Sequence, residues 1–561
     1  MFQAENNERS VLEIASLRRI CMTKTIKNQI FLILSFLMIG GLISSFLKYE
    51  LISDFLLYHY YNGFSFVHSR YDTDLSVAFL ATYYNPVLDS LSYLLIHFCG
   101  DNFNLFYFIT GLPFGMLLFF SYKISSLYFD PASLKGKAQI IVVLLIAATG
   151  FGVNSVIGTI SHDIEVSALV LGAFYLLLRK KQAFFLSGFL LGTAAALKLT
   201  ASIYCITGGL FMLLMRRKSP HPVKDNLLFI LGGFSGFILF NGFWMYILWK
   251  NYQNPFFPFL NAIFKSPYYP EINYIDKLAS AKASVTDMFL LPFILTAHTS
   301  LSEKIVNCDV ADGRLAFLFI IAIVFIPFSF ITKKALSDAM KRFCILTLLS
   351  YLVWIFISVN IRFLIPVEIF SSIIIVSVFS AIKYPHGVIS EGIYWSALIL
   401  GLFYLCSTPH YSAHWGKRTD FPLLNETITL PENTLIINYG DSSSAFVAQL
   451  IEKNPSAKAI GIHSEHGWKK WNMSGYGEMK KKADEMMQSH TNQVVFVHEP
   501  YLASFLPPVN ERYPRLKGWL CEEVSLTQSY ASLDIYKICF PPEMKEKIVI
   551  ERKDLFTKKS D

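Results

Sequence analysis

The sequence predicts an α-helical polytopic membrane protein with about 11 transmembrane helices, followed by a small soluble α/β domain. The 561 residues are 53% hydrophobic and only 16% charged, with a mean hydropathy of +0.43, whereas soluble domains carry about 25% charged residues. The charges are also unevenly distributed, since residues 407–561 hold 38 of the 49 basic and 41 acidic side chains. The first 406 residues are therefore apolar enough to form a bundle of membrane helices.

Eleven stretches approach the pattern of a membrane helix, which needs about 20 mostly apolar residues. They are residues 28–47, 104–122, 138–154, 164–178, 183–197, 200–215, 225–248, 314–331, 343–358, 363–382 and 392–406. A further apolar stretch at 286–297 is too short to cross. We therefore predict a membrane domain over residues 28–406, preceded by a tail at 1–27 and followed by a separate domain at 407–561.

Basic residues indicate the orientation of this bundle, because Lys and Arg collect in cytoplasmic loops. The clusters in the N-terminal tail, at 179–181 and at 216–218 all fall on one side of an eleven-span arrangement. We therefore predict that the tail is cytoplasmic, whereas loops 48–103 and 249–313 and the C-terminal domain lie outside. The expected location is a bacterial inner membrane, with the outer side periplasmic, or lumenal in another membrane.

The C-terminal domain has the composition of an ordinary soluble fold, with 19 basic and 19 acidic residues. Residues 435–437 form a short apolar strand followed by a helical pattern, and 494–499 and 533–540 read as further strands, which predicts an α/β fold. Cys521 and Cys539 are suited to a disulfide in an oxidising compartment, but two free thiols fit nearly as well. The chain contains no motif typical of nucleotide-sugar or nucleic-acid binding.

The first outer loop combines carboxylates with aromatic rings, a mixture suited to the membrane surface. Residues 53–89 read SDFLLYHYYNGFSFVHSRYDTDLSVAFLATYYNPVLD. Asp54 follows the first apolar run by about one to two turns, and a half-desolvated carboxylate there has a raised proton affinity suited to a general base. A solvated or helix-capping aspartate is the plainer interpretation. The weaker candidates in the same loop are Asp72, Asp74 and Asp89.

Charged residues at the ends of other spans are the remaining candidates. His162 and Asp163 lie in a short outer loop, where the pair is suited to a divalent ion or a sugar hydroxyl. Asp163 is equally suited to cap the following helix. Three outer basic residues run against the positive-inside bias: Lys198, Arg314 and Arg362. Such residues are suited to grip a phosphate at the membrane surface, the alternative being contact with lipid headgroups.

Taken in order, these stretches resemble the membrane glycosyltransferases of the GT-C superfamily. The resemblance rests on the acid after the first span and on YHYYNGFSF, TYYNPVLDSLSYLL, GTAAALKLT, NPFFPFLNAIFKSPYY and IRFLIPVE, and it covers about residues 28–406. The individual stretches are degenerate, and the resemblance depends on their order and topology. The resemblance implies an inverting transferase that moves a sugar from a polyprenyl-phosphate carrier to an acceptor hydroxyl on the outer face of the membrane.

The resemblance also implies roles for individual residues. Asp54 matches the position of the catalytic base, and the leaving phosphate needs positive charge, not a proton. The residues expected to bind the donor phosphate are Arg362, Lys198 and Arg314. Those expected to line the sugar or acceptor pocket are Tyr58, His59, His162 and Asp163. The better-known members carry an Asp-Glu or Asp-Asp doublet near the base, which is missing beside Asp54, so both the base and any metal requirement stay open.

The expected partners are a polyprenyl-phosphate-linked sugar donor, membrane lipids and an unidentified glycan, lipid or protein acceptor, with no nucleic acid. No cofactor is required with certainty, and a divalent cation stays an open alternative. Two other classes of protein also fit in part. A polysaccharide polymerase or ligase would use polyprenyl-linked substrates and the same outer arginines. A lipid-linked glycan transporter or flippase would show inverted halves with interrupted spans, and the sequence shows no such symmetry.

Overall fold

The computed structural model describes residues 26–48, 54–217, 219–273, 284–297, 299–306, 310–321, 323, 337–381, 426–439, 443–462, 477–498, 518–524 and 536–552. Within these residues, helices occupy the chain up to residue 381, and seven strands follow residue 425. The predicted span at 392–406 and much of that at 314–331 lie outside the described residues.

The helices are named here in chain order. They are α1 (Ile26–Leu47), α2 (Tyr60–Val67), α3 (Val87–Cys99), α4 (Phe103–Ser125), α5 (Leu134–Ala148), α6 (Phe151–Ser155), α7 (Asp163–Leu178), α8 (Phe184–Leu197), α9 (Ser202–Met215), α10 (Pro222–Tyr252), α11 (Asn261–Phe264), α12 (Val285–Ile294), α13 (Ser300–Val306), α14 (314–321), α15 (Asp338–Ile357), α16 (Ile365–Ala381), α17 (Ser444–Lys453) and α18 (Gly477–Ser489).

Five of the described helices are long and apolar enough to cross a membrane. They are α1, α4, α10, α15 and the stretch Ile361–Ser380, in which a short 3-10 turn leads into α16. The helices at three further predicted spans, α7, α8 and α9, have only 14 to 16 residues. The structure therefore supports a helical bundle suited to a membrane, whereas the prediction of about 11 spans stays a prediction.

Glycines allow α8 and α10 to pack with their backbones in close contact. Gly188 and Gly192 on α8 face Gly232 and Gly236 on α10, and an added Cβ at any of the four would clash with a backbone carbonyl of the facing helix. Small residues four apart are the usual means of bringing apolar helices together in a membrane, where the hydrophobic effect does not drive association. This pairing fixes the C-terminal end of α8, and with it the position of Lys198.

The C-terminal strands form two sheets. They are β1 (Glu426–Thr429), β2 (Leu435–Tyr439), β3 (Lys458–Ile462), β4 (Gln493–His498), β5 (Leu520–Val524), β6 (Tyr536–Phe540) and β7 (Val549–Arg552). Five of them are ordered β3-β2-β4-β6-β5, with β2 parallel to β3 and β4, and β6 antiparallel to β4 and β5. The three strands predicted from the sequence correspond to β2, β4 and β6. Cys521 and Cys539 face each other across β5 and β6 and are joined by a disulfide.

The first loop adds to the edge of the C-terminal sheet. The Leu75 amide donates to the Ala459 carbonyl, and the Gly461 amide donates to the Leu75 carbonyl, each over 2.9 Å. In addition, the side-chain amide of Asn438 donates to the Val77 carbonyl over 3.0 Å. An edge strand such as β3 exposes unpaired backbone groups, and Leu75 of the first loop pairs with two of them. The loop and the C-terminal domain therefore pack as one unit.

Candidate functional site

Asp54 lies directly before a π-helical turn, Phe55–His59, which continues into α2. Turns of π-helix are rare in proteins, and those that occur are frequently found at functional sites. The C-terminal domain holds this turn by two hydroxyls, since Ser443 Oγ donates to the Leu56 carbonyl over 2.9 Å and Ser444 Oγ donates to the Leu57 carbonyl over 2.5 Å. The start of α17 is thus attached to the backbone that carries Asp54.

Asp54 forms an ion pair with Arg362, although 308 residues separate them in the chain. Arg362 Nη1 lies 2.8 Å from Asp54 Oδ2, and the two side chains keep 22% and 20% of their surface exposed. Burial favours the neutral form of the carboxyl, but the Arg362 guanidinium outweighs this effect and holds the pKa of Asp54 below its ordinary value of 3.8. Asp54 is therefore an ionised carboxylate at neutral pH.

Asp163 and Lys198 extend this pair into a row of alternating charges. Lys198 Nζ lies 2.5 Å from Asp163 Oδ1 and also donates to the Ser161 carbonyl over 2.7 Å. The other oxygen of Asp163, Oδ2, is 3.9 Å from Arg362 Nη1. We call Asp54, Arg362, Asp163 and Lys198 the charged row. Two acids and two bases from four separate segments thus meet at the ends of apolar helices.

Two histidines and a third acid form a group that is buried, which we call the His–Asp–His triad. His59 Nδ1 lies 2.6 Å and His162 Nε2 lies 3.1 Å from the same oxygen, Asp89 Oδ1. His162 Nδ1 is 3.4 Å from Glu165 Oε1. The ligand atoms of the triad all lie within 4.8 Å of one another, a spacing suited to a metal ion. The ring of Tyr58 packs on His59, with centroids 4.1 Å apart.

The two histidines of the triad differ in proton affinity. Burial lowers the pKa of His59, and the nearby Asp89 carboxylate only partly offsets that effect. Burial acts in the same direction on His162, but its bonds to Asp89 and Glu165 outweigh it and raise the pKa of His162 to about 9. At neutral pH, His162 is therefore the charged partner of Asp89, whereas His59 is neutral.

Arg314 is not part of either group, contrary to the expectation that it joins Arg362 and Lys198. Its side chain is fully buried, its Nε lies 3.3 Å from Asp312 Oδ1, and its guanidinium donates to the carbonyls of Ile146 and Thr149. Those carbonyls end α5, where the last turn of a helix leaves acceptors without intrahelical donors. The buried carboxylate of Glu368 lies beside the same guanidinium and accepts the Gly152 amide over 2.8 Å. Arg314 therefore joins helix ends inside the bundle.

The other acids of the first loop have different partners. Asp74 forms a bidentate pair with Arg70 and accepts the Ala459 amide over 3.0 Å. Asp72 accepts the side-chain amide of Asn251 over 2.9 Å. Both line a cavity of about 410 Å³ that is formed by the first loop, the end of α10 and the C-terminal domain. Neither acid belongs to the charged row, so the cavity is separate from that group.

The sequence did not indicate several residues of this region. Asp89 appeared only as a weaker acid, yet it is the centre of the triad. Ser161 contacts Lys198 through its backbone carbonyl, and Ser443 and Ser444 donate to carbonyls of a distant segment, so none of the three carries a sequence pattern that indicates its role. Glu165 lies three residues after His162 on α7, and that helical spacing is the one signal that would have suggested it.

No family model matches the chain, and no curated protein or solved structure matches it significantly. The arrangement of the side chains is therefore the basis on which a function is proposed.

Proposed function

We propose that the protein is an inverting glycosyltransferase that moves a sugar from a polyprenyl-phosphate carrier to an acceptor hydroxyl. The observation that carries the proposal is the ion pair between Asp54 and Arg362, which are 2.8 Å apart at one end of the charged row. Ionisable groups at the ends of apolar helices mark functional sites in membrane proteins. The Asp54 carboxylate is suited to act as a general base, and the Arg362 guanidinium beside it is suited to bind a phosphate.

In the proposed reaction, Asp54 accepts the proton of the acceptor hydroxyl while the hydroxyl oxygen bonds to the anomeric carbon of the sugar. The bond between that carbon and the phosphate oxygen breaks, and its electron pair leaves with the polyprenyl phosphate. Arg362 and Lys198 stabilise the negative charge that grows on the leaving phosphate. Because the attack comes from the face opposite the leaving group, the configuration at the anomeric carbon is inverted.

The ion pair suggests how the base is coupled to the donor. While Asp54 is paired with Arg362, its pKa lies below 3.8 and the carboxylate is a weak base. A phosphate competes for the guanidinium, because arginine binds phosphate in a bidentate fork. Withdrawal of the guanidinium from Asp54 raises the proton affinity of the carboxylate. Asp54 is therefore expected to become an effective base when the donor is bound.

The proposed location follows from the physical nature of the donor. A polyprenyl chain stays in hydrocarbon while the sugar stays in water, so transfer takes place at the membrane surface. The five long apolar helices are suited to such a membrane. We propose that the N-terminal tail is cytoplasmic and that the first loop, the charged row and the C-terminal domain face the periplasmic or lumenal side.

The test is a transfer assay with radiolabelled polyprenyl-phosphate sugars and the purified full-length protein in lipid vesicles with extracted acceptors. Asp54→Asn is expected to lower transfer by about 10²–10⁴-fold, the usual contribution of a general base. Asp72→Asn is the matched control, because Asp72 lies in the same loop and bonds to Asn251 outside the charged row. Its transfer is expected to stay near the wild-type rate.

Two results would contradict the proposal in different ways. Undiminished transfer by Asp54→Asn would exclude Asp54 as the base and leave Asp74, Asp89 or Asp163 in that role. No transfer by the wild type from any donor would remove the glycosyltransferase proposal and favour a transporter of lipid-linked glycans.

A further inference from the structure

We propose that His59, Asp89 and His162 bind a divalent metal ion of the Zn²⁺ class. The three residues come from the π-helical turn, from α3 and from the residue before α7, and their ligand atoms converge within 4.8 Å. The two histidine rings are perpendicular, with centroids 5.0 Å apart, so both present a ring nitrogen to Asp89 Oδ1. Three segments that are distant in the chain thus bring one donor atom each within 4.8 Å of the other two.

The donor set is that of a zinc site. Two imidazoles and one carboxylate are the protein ligands of several Zn²⁺ centres, in which a water or a substrate atom completes the coordination. Imidazole donors favour Zn²⁺ over Mg²⁺ or Ca²⁺, which prefer oxygen ligands. The three residues are only 3% to 5% exposed, so the site is shielded from bulk water.

The surroundings of the triad also have the features of a metal site. Histidines that bind a metal usually direct the other ring nitrogen to a carboxylate or carbonyl, and Glu165 Oε1 lies 3.4 Å from His162 Nδ1. The carboxylate of Asp89 is buried, and a divalent cation bound beside it would neutralise its charge. A metal ion bound to Nε2 of His162 would occupy the position of a proton on that nitrogen, between the ring and Asp89.

The backbone at the triad is unusual at two of its three members. His162 has a φ of 61°, in the left-handed region that residues other than glycine rarely adopt, and His59 ends the π-helical turn. Such conformations cost energy and persist where the surroundings fix them, often at functional sites. A metal bond to each histidine gives a physical reason for both.

The bound ion would link the segment that carries Asp54 to the segment that carries Asp163. His59 lies five residues after Asp54, and His162 directly precedes Asp163. Coordination of both histidines would therefore hold the first loop against the start of α7. This inference does not depend on the proposed glycosyltransferase activity, since metal binding is measured without any substrate.

The test measures metal content in the full-length protein, purified in detergent after expression with added Zn²⁺ and dialysis against metal-free buffer. Inductively coupled plasma mass spectrometry is expected to find about one zinc per chain in the wild type, held by the three protein ligands and one water. His162→Ala and Asp89→Asn are expected to lose most of that zinc. His97→Ala is the matched control, because His97 lies on α3 with Asp89 but is 48% exposed and outside the triad; its zinc content should equal that of the wild type.

Two further measurements keep the test decisive if a ligand variant folds poorly. Glu165→Gln removes the carboxylate beside His162 and is expected to weaken zinc affinity by about 10–100-fold, as measured against a competing chelator. Replacement of Zn²⁺ by Co²⁺ in the wild type is expected to give the visible absorption of a four-coordinate site with nitrogen and oxygen ligands. A wild-type protein with no bound zinc, or zinc that His162→Ala, Asp89→Asn and Glu165→Gln all retain with unchanged affinity, would overturn the proposal and leave the triad as a purely hydrogen-bonded group.

Discussion

Arg362 and Arg314 both lie beside carboxylates at the ends of apolar helices, but their surroundings differ in kind. Arg362 pairs with side-chain carboxylates and keeps 22% of its side chain exposed. Arg314 has no exposed surface and donates to two backbone carbonyls as well as lying against Asp312. Backbone carbonyls at a helix end cannot move away without unwinding the helix, whereas the partly exposed carboxylate of Asp54 can exchange for another anion. The first site is therefore suited to a ligand and the second to stability.

Removal of the buried arginine tests the second half of this comparison and has the largest expected effect. Arg314→Met leaves Asp312 and Glu368 buried beside a neutral side chain, and the loss of one partner from such a group costs about 3–5 kcal/mol. The free energy of unfolding, measured by SDS titration in mixed micelles, should fall by that amount. Stability near the wild-type value would show that Arg314 is not structural.

The matched change at the exposed arginine should affect activity instead. Arg362→Lys keeps the charge but removes the planar fork that grips a phosphate, and kcat is expected to fall by about 10²–10³-fold, as on loss of one donor to a developing anion. Stability should change by about 1 kcal/mol or less, because the ion pair is partly exposed. An Arg362→Lys protein that unfolds easily but transfers sugar at the normal rate would reverse the comparison.

A smaller effect is expected where the C-terminal domain holds the π-helical turn. The double variant Ser443→Ala with Ser444→Ala removes two hydrogen bonds to the carbonyls of Leu56 and Leu57, each worth about 1 kcal/mol. The rate of transfer should fall while the KM for the donor stays constant, since Arg362 and Lys198 are untouched. Ser489→Ala, an exposed serine on α18, is the control and should leave both values unchanged.

The smallest expected effect is the loss, at acid pH, of the stability that the ion pair between Asp54 and Arg362 contributes. The folded-state pKa of Asp54 lies below its ordinary value of 3.8, so the ion pair contributes stability above that pH and loses it as the pH falls through the folded-state pKa. The difference in unfolding free energy between the wild type and Arg362→Gln should therefore be constant from about pH 7 to 5 and narrow below about pH 4. A difference that widens on acidification would contradict the pairing of Asp54 with Arg362.

Local features of the fold were predictable from the sequence. The apolar runs gave the positions of α1, α4, α10 and α15, because helix formation in such runs depends on residues within a few turns. The three predicted strands are present as β2, β4 and β6 for the same reason. The sequence also predicted that Asp54 and Arg362 belong to one site, and the two side chains are in contact.

The remaining contacts depend on the packing of distant segments, which periodicity does not describe. The charge of Arg314 at the start of a helix does not show whether its side chain turns to the surface or to the carbonyls that end α5. The triad joins residues 59, 89 and 162 without any spacing rule. The attachment of the first loop to β3 depends on one extended residue, Leu75, which is too short a segment to produce a strand pattern.

That attachment has a consequence for how the protein is made. The first loop is synthesised long before its partners in the C-terminal sheet, since 385 residues separate Asp74 from Ala459. At about 5–20 residues per second, the ribosome needs about 20–80 s to cover that distance. Throughout this interval the aromatic rings of the loop are not yet packed against the C-terminal domain. Binding of chaperones to nascent chains, and the fate of chains that end before the C-terminal domain, are therefore measurable consequences of this attachment.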